Sequence, residues 1–359
     1  MKKLLILVVS LILVCSAMLG GCSCSSATPL SLQELHYDAS GNSTPPVGYS
    51  QTLTYQVDYA EKYGTAYQKD SGITDQLIAF DFNGIYVTEF GVYSSLSQVK
   101  DFFTGNVYDS NLRTQLDADN SLIYLLKTRL DITATYDIPN QEQKVEQDYI
   151  QSIICFTPAR TSFTPIYSET IAKNSFIGLA GATPVITTVE SKQTIIYNQE
   201  EYVIKSQYNS QPEVTRSYEY DRGTLIDNAQ LLFVMANLGL ATNEEYQLPV
   251  VSSQYGEAKI LSILNDGIGT NDQEALHENG LTVNGENYSE QAIKVKRYTY
   301  RLSDVKTTGI QQYVYVTNGS CGNLGNREIM YKYIEPLSSI GTIKPLGVLE
   351  YTLIQANFN

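Results

Sequence analysis

Apolar and polar side chains alternate with a period of two along most of the chain, the pattern of strands that bury one face and leave the other wet. Leu53, Tyr55, Val57 and Tyr59 share one face of a segment whose other face carries Thr54, Gln56 and Asp58. The alternation continues through 76–89, where Phe80 and Phe82 precede Ile85 and Val87 across Asn83-Gly84, a dipeptide that predicts a hairpin turn. Residues 131–138 alternate through Ile132, Ala134 and Tyr136, and Pro139-Asn140 turns the chain into a strand over 144–156. Strands at 194–197 and 202–207 flank a four-residue loop, Asn198-Gln199-Glu200-Glu201, and four more are expected at 294–302, 310–317, 327–334 and 346–357. A succession of hairpins implies antiparallel sheet.

Helical spacing is confined to short stretches. The clearest runs over 228–238, capped by Asp227 and stopped by Gly239, with Leu231, Leu232, Met235 and Leu238 on one face. A second, 96–103, groups Leu96, Val99 and Phe103, and Leu112 and Leu116 suggest a third. Residues 121–130 suit either state. The expected fold is therefore α+β and β-rich, with antiparallel sheets arranged as a sandwich or an open half-barrel and a few packed helices. Two subdomains are expected, 47–245 and 250–359, divided where the helix gives way to polar residues and Pro249, unless the two form one domain.

The N-terminus follows a different rule. Lys2 and Lys3 precede an apolar run from Leu4 to Leu19, shorter than the ~20 residues that span a hydrocarbon core, so 1–21 reads as a secretion signal. It ends in Leu19-Gly20-Gly21-Cys22, which resembles the lipobox of bacterial lipoproteins. That resemblance covers the first 22 residues only, and it implies diacylglyceryl modification of Cys22, cleavage before it, and attachment to the extracytoplasmic face of a membrane. Residues 22–46 are rich in Ser, Thr, Gly and Pro and read as a flexible tether, whose roughly 24 residues after Cys22 would reach roughly 25 to 30 Å.

Charge narrows the partners. Of 359 residues, 38 are acidic and 24 are Lys or Arg, so the net charge is −14, and loss of the signal's two lysines takes it to −16. No basic stretch reverses this locally, which argues against nucleic acid and against a basic membrane-binding surface. The expected partners are the membrane, through lipidated Cys22, and an envelope protein, a polymer or a hydrophobic ligand. Cys155 and Cys321 could form a disulfide closing a loop of about 166 residues, stabilising by about 5 kcal/mol in the chain-entropy view. Equally, Cys155 within Ile153-Ile154-Cys155-Phe156 reads as a buried thiol.

Chemistry is sparsely signalled. The two histidines are His36, in the tether, and His277, in a polar stretch, with neither a Gly-x-Ser-x-Gly turn nor His-x-x-x-His spacing to recruit them. Asn265-Asp266-Gly267 and Asp117-Ala118-Asp119-Asn120 could hold calcium but lack the ligand spacing of an EF-hand and read better as turns. The glycines of 319–325 also read as turn geometry, and the apolar run 176–182 as a buried strand with a bulge or the lip of a pocket. Tyrosines recur on one face of a strand, four apart at 55/59 and two apart at 218/220, 298/300, 313/315 and 331/333, suited to half-buried sheets or to a binding surface. No catalytic, cofactor-binding or metal-binding residue is assigned and no cofactor is expected. The reading is a non-enzymatic binding or envelope-interaction lipoprotein, with a carboxylate-using surface hydrolase or a solute-binding lipoprotein as alternatives.

Overall fold

The structure, a computed structural model, describes residues 37–42, 44–60, 79–103, 122–137, 140–157, 163, 165–180, 183–198, 201–220, 225–251, 256–267, 273–275, 280–302, 312–336 and 348–359. It is β-rich, with the α+β character reduced to two short α-helices among the described residues. Eight strands, β1 (Ser50–Ala60), β2 (Ala79–Tyr93), β3 (Ile123–Asp137), β4 (Lys144–Phe156), β5 (Pro165–Ala180), β6 (Thr183–Tyr197), β7 (Glu201–Tyr208) and β8 (Val214–Glu219), form one antiparallel meander. The chain then turns through β9 (Ile226–Asp227), a 3-10 turn (Asn228–Gln230) and a helix, α2 (Leu231–Ala236). The return half comprises β10 (Glu245–Val251), β11 (Ala258–Asn265), three short strands between 273 and 287, β15 (Ala292–Leu302), β16 (Gln312–Thr317), β17 (Met330–Pro336) and β18 (Val348–Phe358).

β18 pairs antiparallel with β1, so the last strand lies beside the first and both halves belong to one sheet, running from β8 through β1 and β18 to β11, β10 and the parallel pair β10–β9. Strand β10 occupies the stretch at 245–251 where a subdomain boundary is expected, and the main core draws on both sides of it. The sheet is open, and no ladder joins β8 to β9 among the described residues. Its two end regions nevertheless pack together: Ile195, Tyr197, Tyr202 and Ile204 from β6 and β7 bury Leu225 and Val251. Tyr202 staples this contact, its hydroxyl donating to the Gly256 carbonyl at 3.0 Å and accepting the Ala258 amide at 2.7 Å. Of the two architectures left open by the alternation, the open half-barrel is the one formed.

The 228–238 helix is shorter than its spacing predicts, a 3-10 turn followed by six α-helical residues. Leu231, Val234 and Met235 are buried in the main core, so this segment plugs the concave face of the sheet. The second helix, α1 (Leu96–Val99, extended by a 3-10 turn at Lys100–Phe102), covers a separate cluster of Ile123, Leu125, Ile153, Cys155, Ile166 and Tyr167. Residues 123–130, ambiguous in sequence, are strand. The region of the third expected helix, around Leu112 and Leu116, lies outside the described residues.

The hairpin expected at Asn83-Gly84 does not form: β2 runs unbroken through it. Neither residue has a positive φ, which the common two-residue hairpin turns require. A Cβ on Gly84 would fall on the Asp131 carbonyl oxygen and within 3.2 Å of the Ile132 Cα, so the glycine serves a close approach of β3. Part of the expected tether is also held. The Tyr37 carbonyl accepts from Arg327 Nε at 3.1 Å and the Tyr49 hydroxyl at 2.9 Å, and the Ala39 carbonyl accepts the Asn326 amide at 3.0 Å.

Candidate functional site

Inward-facing residues of adjacent strands meet in register, so each level of the concave face is a row across the sheet. One row is polar: Thr128 opposes Ser152, Ser152 opposes Thr170, and Thr170 opposes Gln193, which in turn opposes Ser206. The next row, Leu130, Ile150, Ala172 and Ser191, is mostly apolar. Between these rows and the opposite wall, formed by Tyr86, Tyr333, Tyr351 and the Asp227–Leu232 plug, lies a cavity of about 120 Å³. That holds several waters or a small organic molecule, given that one water needs only about 10 to 15 Å³ of such space. A smaller cavity of about 40 Å³ shares Tyr86, Thr128, Ala229 and Leu232 with it and extends to Tyr37 and Tyr49, where the chain arrives from the tether.

The polar row is bonded within itself. Ser152 and Thr170 hydroxyls lie 2.9 Å apart, and Gln193 Nε2 donates to Ser206 Oγ at 3.2 Å. Facing it, Asp227 is buried and accepts three hydrogen bonds, from Ser168 Oγ at 2.5 Å, Tyr197 hydroxyl at 2.7 Å and the Ala229 amide at 2.9 Å. The last caps the plug's first turn, and Gln230 completes a capping box while its Nε2 donates to the Phe163 carbonyl at 2.9 Å. Burial raises the Asp227 pKa, against the opposing pull of the Ser168, Tyr197 and Ala229 bonds. On the opposite wall burial, and next the charge of Glu335, hold the Tyr333 and Tyr351 hydroxyls well above the usual tyrosine range, and Tyr351 donates to Glu335 Oε2 at 3.3 Å.

The residues singled out in sequence are dispersed. Cys22, His36, His277 and the Asp117–Asn120 cluster lie outside the described residues. Cys155 and Cys321 are both buried thiols with no disulfide between them, because Cys155 packs in the cluster beneath α1 and Cys321 in the main core. The Cys321 thiol donates to the Lys294 carbonyl at 3.4 Å. In the other candidate calcium cluster, Asp266 pairs with Arg297 at 2.7 Å and Asn265 Oδ1 accepts the Gly267 amide at 3.1 Å, an ion-paired turn. Residues 176–180 form the end of β5, in unbroken register with β6 and without the bulge. The 319–325 loop contains a one-turn 3-10 helix at Gly322–Leu324. Of the tyrosine pairs, Tyr298/Tyr300 and Tyr331/Tyr333 are core residues, and the Tyr300 and Tyr333 hydroxyls bond at 2.7 Å.

Sequence reasoning found Asp227 only as a helix cap and missed the polar row. Its signal was present as polar residues in the inward phase of apolar alternations: Thr128 between Leu126 and Leu130, and Ser152 between Ile150 and Ile154. Among the described residues no group of three or more His, Cys, Asp or Glu is placed to hold a metal, and no helix is long and apolar enough to cross a membrane. No family model matches the sequence, and no curated protein matches it. Among solved structures, the chain is similar to a beta-barrel-like protein of the domain of unknown function DUF1849 from Brucella abortus, at 9% identity and a TM-score of 0.44, over 88% of this chain and 100% of that one.

Proposed function

We propose that the protein is a lipid-anchored extracytoplasmic lipoprotein whose β-rich domain binds a small, largely apolar ligand in the lumen of its half-barrel. The observation that carries this reading is the cavity of about 120 Å³ between the Thr128–Gln193 and Leu130–Ser191 rows, the Tyr333 and Tyr351 wall and the Asp227 plug. Small-molecule sites are concave, mostly apolar and furnished with a few placed polar groups, and this lumen has that composition. The sequence Leu19-Gly20-Gly21-Cys22 supports the anchor.

The test uses the mature chain with Cys22→Ser, which removes the acylation site, and the environment-sensitive fluorophore 1-aminoanthracene. Saturable, blue-shifted emission is expected, and Ala172→Phe, which fills the cavity from β5, should weaken it at least ~10-fold, a loss of about 1.4 kcal/mol. Absence of saturable emission in the parent chain, or equal affinity in Ala172→Phe, would falsify the lumen reading. In cells, the Cys22→Ser protein should lose both acyl labelling and membrane association.

A further inference from the structure

The polar groups around the lumen are of one kind. Thr128, Ser152, Thr170 and Gln193 offer neutral hydroxyls and an amide, and across the cavity from them stands the buried carboxylate of Asp227. The one lysine at the cavity, Lys192, sits between Ser191 and Gln193 on β6. Alternation directs its side chain to the opposite face of the sheet from those inward residues. A second buried carboxylate, Glu335, lies behind the Tyr351 hydroxyl on the far wall. A ligand bearing a carboxylate or phosphate would thus enter a lumen whose inward ionisable groups are acids, with no inward cation among the described residues to compensate its desolvation.

We propose that the lumen selects amphiphiles whose polar group is an uncharged or cationic hydrogen-bond donor, seated between the Thr128–Ser152–Thr170–Gln193 row and Asp227, and that it rejects anionic ones. Asp227 already accepts three bonds, yet its two oxygens have about four acceptor sites, so one further donor can be received. The row matches such a ligand because each hydroxyl both donates and accepts, and rotates to complement a hydroxyl or an ammonium group. The apolar remainder of the ligand meets Leu130, Ile150 and Leu232.

This proposal rests on the lumen-binding reading and is tested so that the two fail separately. Octanol, octylamine and octanoate, matched in chain length, compete against 1-aminoanthracene on the Cys22→Ser mature chain at pH 7. Octanol and octylamine should displace the fluorophore at concentrations at least ~10-fold below octanoate, which corresponds to about 1.4 kcal/mol of discrimination. Asp227→Asn keeps a good helix cap and should narrow the octylamine-to-octanoate ratio several-fold. Octanoate competing as well as octanol, while 1-aminoanthracene still binds saturably, overturns the selectivity and leaves lumen binding standing. An unchanged ratio in Asp227→Asn also overturns it, and failure of every probe to bind rejects both readings.

Discussion

Asp227 joins three structural tasks in one side chain: it caps the plug, ties β5 and β6 to it, and faces the cavity. Burial raises its pKa above the ordinary 3.8, so the native state holds the proton more tightly than the unfolded chain does. Its contribution to stability is therefore full below pH 3.8 and is lost as pH rises through the elevated native value. Asp148 behaves with the same sign, raised by burial, and its Oδ1 has no hydrogen-bond partner among the described residues. Asp38 has the opposite sign, lowered chiefly by the Asn42 amide, so its contribution is present above pH 3.8 and lost below it. Melting temperatures recorded from pH 4 to 8 should show Asp227→Asn and Asp148→Asn gaining on the parent as pH rises. Difference curves that stay flat across that range would reject the assignment of strained carboxylates. The sequence disclosed the cap, because an acidic residue before an apolar helical stripe is a local signal. It could not disclose Ser168 and Tyr197, which lie 59 and 30 residues away and become partners only once the plug enters the sheet.

At the scale of elements, most of the strands were legible because one wet face and one buried face leave a period of two, as in β1, where Leu53, Tyr55 and Val57 are buried and Thr54, Gln56 and Asp58 are not. The plug was legible in position but not in length, since core contacts on several sides allow apolar spacing to exceed the helix that forms. Asn83-Gly84 misled for a physical reason: the dipeptide reports a glycine, and a glycine answers either to a positive φ or to a neighbour that comes too close. Here the neighbour is β3, and its contact is with main chain, which cannot swing aside as a side chain can. Gly84→Ala should therefore force β2 and β3 apart at the Gly84–Ile132 pair and cost about 2 to 3 kcal/mol, in the range of overpacking. Urea denaturation provides the measurement, through a lowered midpoint at unchanged m-value. A midpoint equal to that of the parent would mean that the strands are not in close approach.

At the scale of the whole molecule, sequence neighbours gave the hairpins, but nothing local could say that β18 returns beside β1 or that β7 reaches the 256–258 turn. These contacts join residues 54 to about 300 positions apart, and they decide that the sheet curls into a half-barrel. The same long-range logic revises the tether. Tyr37–Asn42 lies against the loop before β17, where Arg327 holds the Tyr37 carbonyl and stacks over Phe358 at 4.0 Å. Should Cys22 carry the lipid, residues 23–36 are the span left between anchor and docked segment. The smaller cavity, lined by Tyr37 and Tyr49, would then open at the end of the domain nearest the membrane. Docking depends on Gly325, whose φ is +63° and whose added Cβ would stand 2.6 Å from the Ala39 Cα and carbonyl oxygen. Gly325→Ala should displace the 37–42 segment, and proteinase K should then cut before Tyr49 roughly ten times faster, because proteolysis follows the population of the open form. Gly319→Ala in the same loop is the control: its φ is +66° but nothing lies within 4 Å of the added carbon, so it carries the backbone strain without the collision. Cutting that accelerates equally in both variants would assign the effect to loop strain, and cutting unchanged in Gly325→Ala would show that the segment does not dock in solution.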